Sequence, residues 1–260
     1  MDEISPILQA IFRWAHIIAG ITWIGLLYFF NWVNAPLQLV LSGDTKKEVN
    51  PELLPRALFW FRWGAAWTWL TGVLLLMLVF YHGGLATESG SFSGGSLAMI
   101  AVTFLAVFAY DQLVRLEALK NLKNLFIVGL ILVAVLTYLF GAIGDFGYRS
   151  MNIHLGAAFG TAMAFNVWFR IWPAQQKIIT CVKEGTPPDG DLVALAGTRS
   201  KHNTYMSVPL VWTMMNFHSV VPWASFPTSD TSFLGLTLMV AIGWWFCSMF
   251  YRQSAKVQGF

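Results

Sequence analysis

Apolar residues gather into seven runs, at roughly 7–33, 57–81, 96–114, 125–144, 151–172, 204–223 and 233–251. Each approaches or exceeds the roughly 20 residues that carry a helix across a bilayer. The joints hold breakers and polar residues: Gly83-Gly84, Ser89 to Gly95, Gly141 to Gly147, Pro187-Pro188-Asp189-Gly190, and Pro227 to Asp230. The pattern predicts an all-α, polytopic membrane helix bundle of about seven transmembrane helices, forming one domain over 1–260. Composition agrees: 57% of residues are hydrophobic and 11% charged, against about 25% charged in soluble domains. Met1-Asp2-Glu3 lacks the basic region of a signal peptide and the first run is too long for one, so a retained helix is expected.

Basic residues fall on alternate joints. Lys46, Lys47, Arg56, Arg115, Lys120, Lys123, Lys177, Lys183, Arg199 and Lys201 follow runs one, three and five, and Arg252 and Lys256 follow run seven. The other side has only Arg13 and Arg149. By the positive-inside rule the amino terminus is expected outside and the carboxyl terminus in the cytoplasm, as a multi-pass protein of a bacterial inner (plasma) membrane. The joints 34–56 and 173–203 are long enough for short interfacial helices, for instance Gln175 to Lys183. Many of the 13 tryptophans, such as Trp14, Trp32, Trp172 and Trp223, lie near run ends and read as an aromatic belt. No basic cluster points to nucleic acid. Cys181 and Cys247 form no C-x-x-C or C-x-x-C-H pattern, so no c-type haem attachment, thiolate zinc site or iron–sulfur site is visible in the sequence.

Four of five histidines, His16, His154, His202 and His218, lie in or at the edge of the apolar runs. By helical rise, His16, His154 and His218 fall in the outer half, while His202 begins run six at the inner side. Imidazoles in hydrocarbon are costly and mark function. Neutral imidazoles inside a bundle suit haem iron, so one haem b or two is expected, with two of His16, His154 and His218 as axial ligands. Gly20 and Trp23 share the face of His16, Ala158 and Thr161 that of His154, and Val211 and Met214 that of His218. Gly156 and Gly160 form a G-x-x-x-G that reads first as close helix packing. Copper or zinc is the competing occupant, but no carboxylate or thiolate lies at that depth. His202 and His218 are about 24 Å apart along a helix and on nearly opposite faces unless Pro209 bends it. His202 is therefore placed with an inner polar pocket of Asn34, Asn166, Arg170, Asn203 and Tyr205, which also includes Asn31. That pocket reads either as an interfacial anchor or as a site for a polar substrate or quinone head group. No acid lies mid-run, Asp111 being at an inner end near Arg115, which argues against a proton-driven transporter.

These residues carry a resemblance. Arg13-Trp14-Ala15-His16 with Gly20-Ile21-Thr22-Trp23-Ile24-Gly25, Trp60-Phe61-Arg62-Trp63 with Trp69-Leu70-Thr71-Gly72, His154-Leu155-Gly156-Ala157 with Asn166-Val167-Trp168-Phe169 and the Pro173 to Lys177 stretch, and His202-Asn203-Thr204-Tyr205 with Pro209 and Asn216 to His218 stand in order. The chain resembles the amino-terminal membrane domain of the bacterial membrane-bound, cytochrome-c-linked urate oxidases. The resemblance implies a haem-containing membrane oxidoreductase that sends electrons toward a c-type cytochrome, with His16, His154, His202 and His218 as the functional set. His82 has no counterpart. Family members carry a carboxyl-terminal cytochrome c domain and a longer first joint, and residues 1–260 include neither. Where the family pattern has a His before the tryptophan-rich stretch and an acid after it, this chain has Phe59 and Gly64.

The expectation is a b-type cytochrome-like electron-transfer protein, partnered by a c-type cytochrome or other subunits of a membrane electron-transfer complex. A urate-oxidase-like enzyme acting on a purine and a haem-free structural subunit are the alternatives. The catalytic residues of an enzyme are not identified by the sequence.

Overall fold

The computed structural model describes residues 4–216 and 232–257. Seven long helices and no strand occur among them. They are α1 (Ile4–Val40), α2 (Gly43–Tyr81), α3 (Gly94–Leu113), α4 (Leu122–Ala142), α5 (148–184), α6 (Gly190–Asn216) and α7 (Ser232–Ser254). A short 3₁₀ turn, Glu117–Leu119, lies between α3 and α4. Five of the seven, α1–α4 and α7, are long and apolar enough to cross a membrane.

The other two, α5 and α6, are the more polar pair, and their position explains it. Ser150, Asn152, His154 and Asn166 of α5, and Asn203, Thr204, Ser207 and Thr213 of α6, are all buried. The outer helices show the reverse pattern, with Trp14 70% and Ile21 66% exposed. Polar inside and apolar outside is what a bundle solvated by lipid requires, because hydrocarbon offers no hydrogen bonds. The chain is a helical membrane protein.

Lipid supplies no hydrophobic drive between helices, so small residues set their approach. A Cβ on Gly64 would stand 3.2 Å from the Trp23 amide nitrogen and 3.3 Å from the Ala19 carbonyl, so α1 and α2 meet backbone to backbone. Gly156 gives way to Thr213 and Met214 of α6, and Gly243 to Pro209. The G-x-x-x-G of α5 thus packs against α6, with Gly160 facing Leu210. Trp23, Leu27, Phe61, Met163 and Val167 fill the core where α1, α2, α5 and α6 converge.

The helices run past the apolar boundaries. The joint 34–56 is helix apart from a break at Leu41–Ser42, and the first turn of α2 is capped by the Ser42 hydroxyl accepting from the Thr45 amide at 3.2 Å. The stretch 173–203, where a short helix is expected, is helical over Trp172–Glu184, which forms the end of α5. Three π-helical stretches interrupt the α-helices: Phe29–Asn34, Leu76–Tyr81 and Val167–Ile171. The first and third lead into Pro36 and Pro173. A helix-interior proline has no N–H for the carbonyl four residues back. That carbonyl on Trp32 accepts from Ser254 Oγ at 2.5 Å, and that on Phe169 from Arg170 at 3.0 Å. Each lost bond is replaced, as an apolar surround demands.

Candidate functional site

His16 sits on the face of α1 turned to α2. Its Nδ1 lies 2.9 Å from the Thr68 carbonyl and 3.2 Å from Thr71 Oγ1. A carbonyl only accepts, so Nδ1 carries the proton and Nε2 is the unprotonated nitrogen. Nε2 has no hydrogen-bond partner among the described residues. Gly72 makes room for the ring: a Cβ there would come within 2.9 Å of His16 Cε1. Gly20, on the same face of α1 as His16, meets Thr68 Cγ2 at 3.8 Å instead.

His154 is fully buried on α5. Its Nδ1 reaches the Ser150 carbonyl one turn back at 2.8 Å, which again fixes the Nδ1–H form. Nε2 then accepts from the Tyr81 hydroxyl at 3.1 Å. The π-helical turn that closes α2 presents both Tyr81 and Phe80 to this ring. Phe146, at 4.2 Å between centroids, and Phe140 complete an aromatic box. Above Ser150 a cleft of about 250 Å³ opens between Leu85, Thr87, Glu88 and Tyr148. His218, expected in the same layer, lies outside the described residues, as do Trp223 and the end of run six.

His202 belongs to a different cluster with the opposite proton arrangement. The Asn166 amide donates to the Tyr110 hydroxyl at 2.9 Å, and that hydroxyl lies 3.0 Å from His202 Nδ1. The hydroxyl proton is free to donate to Nδ1, which makes Nδ1 the acceptor and leaves Nε2 protonated. Asn166 also donates to Asn203 at 2.8 Å, and Asn203 to the Met163 carbonyl at 3.0 Å.

The hub of this cluster is Asp111, 3% exposed. Its two oxygens receive Arg199 at 2.7 Å, Arg170 at 2.9 and 2.5 Å, and Arg115 at 2.7 Å. Three guanidinium groups against one carboxylate leave two positive charges over. Of the expected inner pocket, Asn166, Arg170 and Asn203 come together here. Asn34 instead bonds Gln38, which pairs with Asn50. Asn31 joins Ser200 and Tyr251, and Tyr205 stacks on Tyr251 and packs tilted against Phe126.

The sequence pattern alone did not single out Asp111 and Arg199 as the centre, nor Tyr81 and Tyr110 as the imidazole partners. The signal was a tyrosine inside an otherwise hydrocarbon run, whose hydroxyl must find a partner when buried.

The two positions that depart from the urate oxidase pattern flank Arg62. Its guanidinium carbon stands 4.0 Å over the Trp172 ring and 5.7 Å from that of Phe59, with no carboxylate in reach among the described residues. The Trp168 indole donates to the Arg62 carbonyl at 3.0 Å, tying α5 to α2. Among the described residues no group of three or more His, Cys, Asp or Glu could hold a metal ion.

No curated protein and no solved structure matches the chain. A family model described as urate oxidase N-terminal matches residues 41–259, a stretch that includes His154, His202 and His218 and begins after His16. The chain belongs to the urate oxidase N-terminal family.

Proposed function

We propose that this chain is a b-type cytochrome-like protein of a bacterial inner membrane, with its amino terminus outside and its carboxyl terminus in the cytoplasm. It passes electrons toward a c-type cytochrome or a partner subunit at the outer face. The observation that carries the reading is the matched state of His16 and His154. Both hold the ring proton on Nδ1 against a main-chain carbonyl and so offer Nε2 as a lone pair. A carbonyl behind the ring in this way orients a metal-bound imidazole and raises its basicity. The donor chemistry fits haem iron; His202, with Nδ1 engaged by Tyr110, does not share it.

When bound, haem b supplies a one-electron couple that cycles between ferric and ferrous iron. The chain's own residues do the rest. Thr68 and Ser150 fix the two tautomers. Phe80, Phe140 and Phe146 exclude water around His154. Tyr81 caps His154 Nε2, and its hydroxyl must turn aside before that nitrogen can ligate.

A reduced-minus-oxidised spectrum of the purified chain, with a pyridine haemochrome assay, tests the reading. A low-spin b-type signal is expected. His16→Ala and His154→Ala should abolish or convert it, while His82→Ala should leave it unchanged. A colourless wild-type protein from haem-replete cells refutes the proposal.

Family membership favours a second reading, a urate-oxidase-like enzyme that oxidises a purine at the inner cluster. Reduction of added cytochrome c by urate, dependent on the purified chain, would establish it over pure electron transfer.

A further inference from the structure

The rim of the Asp111 cluster does not face the protein interior. Arg199 and Asp111 are enclosed, with side chains 3% and 4% exposed, but Arg170 and Arg115 reach 25% and 53%. Asp111 is the one carboxylate that these three arginines share, so the two surplus charges lie on the outward side. Glu117, the next acid along the chain, pairs with Lys120 at 2.6 Å and neutralises none of them.

Beside Arg170, three aromatic rings run along the seam of α3 and α5. Phe108 meets Phe165 at 6.1 Å between centroids, and Phe165 meets Phe169 at 5.0 Å. Phe108 and Phe169 are 59% and 62% exposed. Arg170 stands over the Phe165 ring at 5.2 Å, which joins the cationic end to the apolar column. A surface with two surplus positive charges shared among the arginines at one end, and exposed rings beside Arg170, is complementary to one molecule of lipid, its phosphate on the arginines and a chain along the rings. Guanidinium forks match phosphate oxygens in pairs, and basic pockets between transmembrane helices hold anionic head groups.

We propose that Arg115 and Arg170, with the Phe108–Phe165–Phe169 seam, form a binding site for a single anionic phospholipid. The head-group phosphate neutralises the surplus charge of the Asp111 cluster, and an acyl chain lies along the three rings. The inference is independent of the haem reading, since none of these residues contacts His16 or His154 through the bonds described above.

The test is native mass spectrometry of the full chain in neutral detergent, titrated with dioleoyl phosphatidylglycerol, with dioleoyl phosphatidylcholine, or with inorganic phosphate. One phosphatidylglycerol should be retained at least about fivefold better than phosphatidylcholine, and should raise the thermal unfolding temperature. Arg115→Gln, at a half-exposed side chain, should reduce that preference toward unity with the helical circular dichroism unchanged. Phe169→Ala should weaken both lipids and leave the preference intact. Equal retention of the two lipids by wild type overturns the proposal, and this arm decides alone should Arg115→Gln not fold. Undiminished preference in a folded Arg115→Gln overturns it too. Stabilisation by inorganic phosphate equal to that by phosphatidylglycerol would show a free-anion site in place of a lipid site.

Discussion

Replacing Asp111 by Asn removes one negative charge and nothing else of consequence in volume. In the native protein the carboxylate receives four charge-assisted bonds of 2.5–2.9 Å from three arginines. Arg115 and Arg170 can turn toward lipid head groups and water. Arg199 cannot: it is 3% exposed, and its remaining partners are the Asn166 side chain at 3.3 Å and the Asp111 carbonyl at 3.4 Å. Removing one partner of a buried pair strands the other charge, at about 3–5 kcal/mol. At about 1.4 kcal/mol per decade, the folding equilibrium should fall by between about a hundred and a few thousand. Reversible unfolding in mixed micelles, followed by circular dichroism, measures it. Glu117→Gln is the control, because its pair with Lys120 is 84% and 65% exposed and solvent-exposed pairs contribute little to stability. Adding Arg199→Leu to Asp111→Asn should recover most of the loss, since the stranded charge is gone. An Asp111→Asn penalty as small as that of Glu117→Gln would refute the assignment of Asp111 as the hub.

Three further outcomes are expected. Gly72→Ala drives a methyl into His16, from 2.9 Å at Cε1, so any spectral signal that depends on His16 should shift or vanish while helix content stays within a few per cent of wild type. Single cysteines at Ser91 and Thr198, in a Cys181→Ser background, should label from opposite sides of sealed vesicles; same-side labelling contradicts the positive-inside orientation. Hydrogen bonding from Ser89 holds the Asp145 carboxyl below its ordinary value of 3.8. Its contribution to the clasp between the 82–93 and 143–147 segments is thus present above that value and lost as pH falls through the lower, folded one. Hydrogen exchange of the Ser89 amide, corrected for its intrinsic rate, should accelerate in that acid window in wild type, and at all pH values in Asp145→Asn.

The seven helices were legible because a series of apolar runs of bilayer length, parted by polar joints, is what a chain folded in lipid requires, but their ends were not. Hydropathy marks where lipid begins, whereas a helix stops where its hydrogen bonds stop. The residues 43–56 are polar and still helical, since Ser42 caps them and water satisfies their surface. The separation of His202 and its polar neighbours from His16 and His154 was also legible, from helical rise alone. The membership of the inner cluster was only half so. Arg115 follows Asp111 at i+4 on one helix and could be paired from spacing. Arg170 and Arg199 reach the same carboxylate from α5 and α6, and the face that Arg170 occupies follows from the register shift of the π turn at Val167–Ile171. Asn34 and Tyr205 looked like members because they lie at the same depth, but depth leaves the angular position around the bundle undetermined.

Gly64 shows how one such packing detail bears on chemistry. The resemblance would place an acid at this point of α2, close to Arg62 in sequence. Here the Trp23 amide nitrogen and Cβ and the Ala19 carbonyl crowd the space where a side chain would begin, all within 3.3 Å of the Cβ position. A carboxylate needs several atoms more than a Cβ, so it can be accommodated only if α1 and α2 move apart. The close approach also fixes α1 against α2 along the stretch that carries His16 to Thr68, Thr71 and Gly72. The absence of an acid at position 64 and the tight seat of the His16 imidazole therefore go with one helix crossing. Arg62 is left to stack on Trp172 where a carboxylate would otherwise have taken it.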